Sequence, residues 1–487
     1  MWKNVFTFVG LKEKVMDKKI VGREQELAQL SRYYKSKQSE FVAVYGRRRV
    51  GKTFLVRNAF PRIDFQYTAM MNASRREQLV CFANALREQG LVDAADVSSW
   101  QEAFAELKRF ICTLPKSRKK VIFLDELPWM DKSDAVFISA FEHFWNSWAS
   151  ARNDIMLVVC GSATSWMMDK LINNRGGLHN RITLHIRFEP FSLKETELYL
   201  KSRKFRWGRM MIAECYMIFG GIPYYLSLLD PSLSLARNVD CLFFRQNAVL
   251  RGEFSNLYAS LFTNSKLYIG IVQLLGSKKK GLSRDEIVKG LKLADGGTFS
   301  KALADLENCG FIRNYTPFDK KKKTALFQLV DFYTLFYLNF IWERKINDED
   351  FWSKNSRSTL RNAWIDYAFE QLCLAHVRQI KQGLGISGVI TNVYSWRSTQ
   401  KERGAQIDLV IDRNDNSITL CEMKWTNRQY SITAAYEKNL NNKVETFVEE
   451  NETKKSVFLT MITTQGVLSN SHSQILDNNL ILNDLFV

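Results

Sequence analysis

Proline is scarce in this chain, at 7 of 487 residues, and no stretch is dominated by one or two residue types. That excludes a low-complexity architecture, and no internal repeat marks a solenoid. Apolar runs are short. None reaches the roughly 18 residues that a membrane-spanning helix needs, so no membrane partner is expected. The opening segment, MWKNVFTFVGLKEKVMDKK, breaks its apolar stretch with lysines and offers no cleavage site, which argues against a signal peptide. The cysteines (Cys81, Cys112, Cys160, Cys215, Cys241, Cys309, Cys373 and Cys421) contain no CxxC pair, and several lie in apolar runs. They read as reduced, buried thiols of a cytoplasmic protein, not as zinc ligands or disulfides.

What is present is an ordinary soluble composition, 46% hydrophobic and 25% charged, in a chain too long for one core. The net charge of +18 is uneven. Residues 346–487 carry 15 basic and 17 acidic side chains, so residues 1–345 hold an excess of +20. A field of that sign suits a polyanionic partner. It equally serves solubility and the counter-charge for a bound nucleotide.

Apolar runs at 41–46 (FVAVYG), 121–126 (VIFLDE) and 155–162 (IMLVVCGS) read as buried strands alternating with helical patterns at 101–113 and 137–149. This implies an α/β fold with a parallel sheet covered on both faces. Strands stop near residue 190, and 192–265 reads as helical, interrupted at GGIPYYL (220–226).

The loop GRRRVGKT (46–53) satisfies GxxxxGK[ST] between an apolar strand and a helix, the context that motif requires. Gly46 and Gly51 permit the tight backbone path. Amides of Arg48, Arg49, Val50, Gly51, Lys52, Thr53 and the adjoining Phe54 form the phosphate-binding stretch at a helix N-terminus. Lys52 is placed for the β- and γ-phosphates of ATP and Thr53 for Mg²⁺. Asp125, ending a neighbouring parallel strand, is expected to reach the metal's water shell, and Glu126 to act as general base. Ser162, ending the third strand, is expected to sense the γ-phosphate. Arg175 or Arg181 is the candidate arginine acting on that phosphate, and Arg47, Arg48 and Arg49 are read as exposed.

VGREQEL (21–27), GRRRVGKT, FLDELPWM (123–130), CGSATSWM (160–167) and GGIPYYL together resemble the archaeal-type P-loop ATPases of the wider AAA-like, signal-transduction group. The resemblance spans roughly residues 20–345. It implies that Gly22 and Arg23 border the base, that Pro223 marks a helical lid, and that nucleotide drives switching between open and closed states.

Residues 266–344 read as a winged helix: helices at 267–276, 283–293 and 298–310, then a hairpin. Ser283 and Glu286 have capping-box spacing, Thr298 is a candidate cap, and Gly310 is the stop. Lys278 to Lys280 and Lys320 to Lys323 are candidate DNA-phosphate contacts. Only Lys301 stands out on the third helix, which makes it a poor reader of bases. The alternative is a module that docks on the ATPase core, with the lysines as solvated loop tips.

In the C-terminal segment, QIDLVIDRNDNSITLCEMKW (406–425) reads as a hairpin centred on Asp415. That register sets Asp408 opposite Glu422, with Lys424 on the same face. Two such carboxylates can share a metal ion, and a lysine beside them suits phosphodiester cleavage. Glu370, inside an apolar helix face, is a candidate fourth group. This set resembles the restriction-endonuclease-like D…ExK core, although Gln406 replaces the usual acid. The alternative is a salt-bridged hairpin in which Lys424 pairs with Asp408 or Glu422.

The expected organisation is a P-loop core at 1–190, a helical lid at 191–265, a winged helix at 266–344 and a restriction-endonuclease-like α/β unit at 345–487. Two functions follow as expectations. One is an Mg²⁺-dependent ATPase switch contacting DNA and carrying a metal-dependent nuclease. The other is a regulatory ATPase whose C-terminal unit binds a partner protein, or a second copy in a homo-oligomer, and cuts nothing.

Overall fold

A computed structural model describes residues 20–133, 136–173, 176–278, 281–318, 325–344, 348–356, 358–398 and 404–487. Its first sheet contains β1 (Glu40–Tyr45), β2 (Phe65–Thr68), β3 (Lys120–Asp125), β4 (Ile155–Gly161) and β5 (Leu184–Arg187). The order is β2-β3-β4-β1-β5 and every pair is parallel. β1, β3 and β4 are buried along their whole length, as their unbroken apolar runs require. The apolar-run criterion misses β2 and β5. Both are edge strands, and FQYT and LHIR leave alternate side chains outside.

Successive side chains along the central strands serve different cores. Ala43, Ile122, Leu124 and Leu157 pack with helices Arg75–Glu88, Trp100–Thr113 and Phe137–Phe144. Val42, Val44, Phe123 and Val158 face a second core, which runs on to Phe311, Phe369 and Phe486. The sheet's second face is therefore continuous with side chains contributed from the far end of the chain.

One expectation needs correction. β3 is not the immediate neighbour of β1, because β4 lies between them. The strand carrying Ser162 therefore stands between the phosphate loop and the acidic pair, which gives Ser162 access to both.

Beyond the sheet, helix Leu193–Ser202 starts with a capping box built by Ser192 and Glu195. Helix Arg209–Phe219 ends at Gly220, and both Gly220 (φ 70°) and Gly221 (φ 64°) take the left-handed conformation. A Cβ at Gly221 would lie 2.3 Å from the Phe191 carbonyl oxygen, so only glycine fits this tight reversal. Pro223 then opens helix Pro223–Ser227 at a position where its missing N–H costs nothing.

Helices Ser265–Gly276, Arg284–Leu291 and Gly297–Asn308 accompany an antiparallel sheet of order β6-β8-β7, formed by β6 (Leu282–Ser283), β7 (Ile312–Tyr315) and β8 (Leu326–Leu329). The Ser283–Glu286 capping box is present as its spacing predicts, and Gly310 takes φ 73° at the stop. Thr298 is not a cap. The third helix begins one residue earlier, with Gly296 at the N-cap and no side-chain cap bond. Lys279, Lys280 and Lys320 to Lys323 lie outside the described residues, while Lys278 and Lys301 are exposed.

The C-terminal segment contributes helix Thr359–Ala375 and a mixed sheet. Its strands are β9 (Thr391–Arg397), β10 (Gln406–Arg413), β11 (Ser417–Lys424), β12 (Ser456–Thr463) and β13 (Asn478–Ile481), in the order β13-β12-β11-β10-β9. β9, β10 and β11 are antiparallel, and β11, β12 and β13 are parallel. Helix Ala434–Asn451 makes the crossover from β11 to β12.

His376, just past helix Thr359–Ala375, ties this segment to the helix at Leu193. Its Nδ1 lies 2.8 Å from the Leu372 carbonyl oxygen, and its Nε2 accepts the Leu193 N–H at 3.1 Å. This arrangement requires the neutral ring. Burial pushes its pKa down from 6.5 to about 4. Between those values the unfolded chain binds the extra proton, so the contribution is complete above pH 6.5 and is lost as pH falls towards 4. A gap of that size corresponds to about 3 kcal/mol. His376→Gln should flatten the decline of the thermal midpoint between about pH 7 and 5, as read by calorimetry. An unchanged decline would assign the acid sensitivity to another group.

Candidate active site

The phosphate loop joins β1 to helix Lys52–Ala59. Gly46 adopts φ 143°, and a Cβ there would lie 2.3 Å from the Phe188 carbonyl oxygen. Gly51 (φ 94°) has open space where its Cβ would be, consistent with a cradle left free for phosphate. Arg49 sits at φ 74° without being glycine, a strained turn of the kind found at functional loops.

Lys52 is buried, and its Nζ donates to the carbonyl oxygens of Gly46 and Arg47, both at 2.8 Å, and to Ser162 Oγ at 3.1 Å. Thr53 Oγ1 donates to Asp125 Oδ2 at 2.9 Å, pairing the two groups expected at the metal. Burial raises the Asp125 pKa, and the neighbouring Glu126 charge adds to this. Glu126 has a left-handed backbone (φ 52°), and its carboxylate accepts from Ser162 N at 3.0 Å and Ser162 Oγ at 2.6 Å. Ser162 is thus a hub joining Lys52 to Glu126.

Lys52, Thr53, Glu126 and Ser162 line a cavity of about 590 Å³ with Val21, Arg23, Arg48, Arg49, Val50, Phe54, Phe191, Pro223 and Tyr224, and Asp125 stands behind Thr53 without lining it. Its aromatic and apolar wall suits a base, and its cationic floor suits phosphates. Gly22 takes φ 72° and shapes the entry, while its neighbours Val21 and Arg23 line the cavity. The Arg23 guanidinium lies 4.3 Å from the Phe188 ring centroid and donates to the Glu189 carbonyl oxygen at 2.6 Å. It therefore braces the wall. Pro223 lines the cavity as the resemblance implies, and Tyr224 N donates to the Arg49 carbonyl at 3.4 Å.

The expectation of three exposed loop arginines is overturned. Arg47 is buried, ion-paired with Asp331, and lies 4.8 Å from the Phe311 ring centroid. Arg49 pairs with Glu253 at 2.8 Å and stacks over Tyr224 at 4.1 Å. Arg48 is half-buried. The loop resides in a crowded groove made by residues far along the chain, which local sequence cannot reveal. Arg181 is exposed and does not line the cavity, and Arg175 lies outside the described residues.

In the C-terminal sheet, Leu409 pairs with Cys421 and Val410 with Leu420, the register that the hairpin arithmetic predicts, and Asp408 is near enough to Glu422 to feel its charge. Burial raises the Asp408 pKa, with a further push from Glu422. Burial acts upward on Glu422 too, but Lys443 and Lys424 outweigh it and hold that carboxyl low. Glu422 accepts from Tyr436 Oη and Lys443 Nζ, both at 2.7 Å, and Lys424 Nζ lies 3.5 Å away. Gln406 Nε2 donates to Asp408 Oδ1 at 2.6 Å. Glu370, Gln406 and Asp408 line a cavity of about 350 Å³ with Arg313 and Tyr315 of the β7–β8 hairpin, and Glu422 and Lys424 do not line it. Among the described residues, no group of three or more His, Cys, Asp or Glu side chains is placed to hold a metal ion. Lys443 and Tyr436 were not anticipated, although their spacing of two helical turns on one face was a usable signal.

The parallel sheet, the glycine-bounded loop and the paired acids define an ATPase core of the P-loop, α/β class. Residues 20–229 match a family model described as an ATPase domain predominantly from Archaea. An uncharacterized protein of Methanocaldococcus jannaschii is 24% identical over 409 residues, which is 83% of this chain and 87% of that protein. A Walker-type ATPase of Pyrococcus abyssi is similar with a TM-score of 0.50 at 18% identity, covering 68% of this chain and 99% of its own. The ORC2 protein of Aeropyrum pernix gives a TM-score of 0.42 at 15% identity, over 67% of this chain and 95% of its own.

Proposed function

We propose that this protein is an ATP-hydrolysing switch whose nucleotide state is passed to its downstream segments. The observation that carries this reading is the convergence of Lys52, Thr53, Glu126 and Ser162 on one cavity, with Asp125 hydrogen-bonded behind Thr53. Thr53 and Asp125 would hold Mg²⁺, which when bound supplies positive charge to the phosphates. Lys52 binds the β- and γ-phosphates. Glu126 takes the proton of the attacking water, and Ser162 orients the γ-phosphate or that water. Because Ser162 touches both Lys52 and Glu126, a phosphate drawing Lys52 away from its present partners leaves Ser162 bonded to the base alone.

The downstream route begins at Arg47, whose ion pair ties the phosphate loop to Asp331. Three helices with the β6-β8-β7 sheet support a winged helix at 266–344, and the positive excess of residues 1–345 supports non-specific DNA contact there. The helix and mixed sheet of the C-terminal segment support a restriction-endonuclease-like unit. Glu422, held by Lys443, Lys424 and Tyr436, favours the salt-bridged alternative, in which this unit binds a partner and does not cut. The adjacency of Asp408 and Glu422 is the observation in favour of a nuclease.

ATP turnover with and without single- and double-stranded DNA, for the wild type and Lys52→Ala, tests the reading. Turnover should depend on Lys52 and rise with DNA, the DNA effect fading steeply with salt. Metal-dependent cleavage lost in both Asp408→Ala and Lys424→Ala would instead establish the nuclease.

A further inference from the structure

Hydrolysis of a γ-phosphate is faster when an arginine faces the charge that develops on it. Neither arginine expected in that role from sequence is placed there by the described structure. Arg181 stands outside the nucleotide cavity, and Arg175 is not among the described residues. The basic side chains that line the cavity are Arg23, Arg48, Arg49 and Lys52. Lys52 already has its role. Arg23 is committed to the Glu189 carbonyl and the Phe188 ring, and Arg49 to Glu253 and Tyr224.

Arg48 differs from all of them. No ion pair or hydrogen bond engages its side chain among the described residues, although Arg47 before it and Arg49 after it are both tied to carboxylates. It also occupies a distinctive place. Arg48 and Ser162 line both the nucleotide cavity and an adjoining cleft of about 530 Å³, so they form the wall between the two. Glu126, the base, lines the nucleotide cavity at that wall and holds Ser162. The wall is therefore the end of the cavity where the γ-phosphate and the attacking water belong. The clamps on Arg47 and Arg49 fix the loop on either side of Arg48. The Arg48 charge is felt by Glu253, yet among the described residues its guanidinium is held by no ion pair or hydrogen bond. Such a planar fork of donors matches phosphate oxygens better than an ammonium does.

We infer that Arg48 is a built-in catalytic arginine, contacting the γ-phosphate of the ATP held by its own loop. The inference rests on the ATPase reading and adds to it the residue that neutralises transition-state charge. A cis arginine in the loop itself also makes turnover per site independent of protein concentration.

The test measures ATP affinity and single-turnover hydrolysis for full-length wild type, Arg48→Ala, Arg48→Lys and Lys52→Ala. Arg48→Ala should lower the hydrolysis rate on the order of 10³-fold, with the ATP dissociation constant changed less than about threefold, because a contact made mainly in the transition state leaves ground-state binding alone. Arg48→Lys should recover only part of the rate, and added guanidinium ion should partly rescue Arg48→Ala at concentrations that leave its thermal midpoint unchanged. A rate for Arg48→Ala within threefold of wild type would overturn the assignment. So would a loss matched by weaker ATP binding, or a loss confined to DNA-stimulated turnover. Wild-type protein without Lys52-dependent turnover would overturn the ATPase reading as well, which separates the two failures.

Discussion

Glu126→Gln is expected to bind ATP with near wild-type affinity and to hydrolyse it about 10²- to 10⁴-fold more slowly, the range that a positioned general base contributes. In Glu126 the two carboxylate oxygens accept separately from Ser162 N and Ser162 Oγ. The amide keeps the size of the side chain, its one oxygen can still accept from Ser162 N, and its NH2 can donate to the Ser162 hydroxyl. What it loses is the ability to take a proton. Lys52→Ala should behave differently, losing affinity and rate together, since Lys52 serves ground state and transition state alike. Rapid-quench single-turnover measurements beside a binding titration separate the two patterns. A Glu126→Gln rate within threefold of wild type would move the base elsewhere, with Asp125 the next carboxylate at the site.

Arg47→Ala is expected to cost about 3–5 kcal/mol of stability, because it strands the Asp331 carboxylate in a buried position. Burial works against the Arg47 charge, and Asp331 more than offsets it, so the guanidinium pKa is raised. Asp331 has a second duty as N-cap of helix Phe332–Phe340, accepting from Thr334 N at 3.0 Å and Thr334 Oγ1 at 2.6 Å. Asparagine preserves that cap without the charge. The double variant Arg47→Met/Asp331→Asn should therefore be more stable than Arg47→Ala alone, as read from chemical denaturation midpoints. If Arg47→Ala unfolds at the wild-type midpoint, the pair is not the brace described here.

The sequence made the phosphate site legible because its requirements are local: two glycines, a lysine and a threonine at fixed spacing after an apolar strand. The acidic pair and Ser162 were legible for the same reason, since each ends a strand whose unbroken hydrophobicity marks it as central. The strand order was not. Nothing local states that β4 separates β1 from β3, yet that order lets Ser162 touch both Lys52 and Glu126. The partners of Arg47 and Arg49 were hidden too, because Asp331 and Glu253 lie hundreds of residues away. In the C-terminal segment the hairpin register followed from turn and alternation, and the pairs from Leu409–Cys421 to Asp412–Ile418 obey it. The lysine that most closely engages Glu422 came from a crossover helix, and proximity along the chain favoured Lys424 over Lys443.

In the proposed switch, the phosphate site communicates with the segments beyond it through the Arg47–Asp331 brace and the core that runs from Leu30 to Phe486. Amide hydrogen exchange on full-length Glu126→Gln, with and without MgATP, tests it most directly. Altered protection is expected in residues 326–340 alongside the phosphate loop, with loss of that remote response in the Arg47→Met/Asp331→Asn background. Changes confined to the nucleotide cavity, with residues 326–340 unaffected, would contradict it.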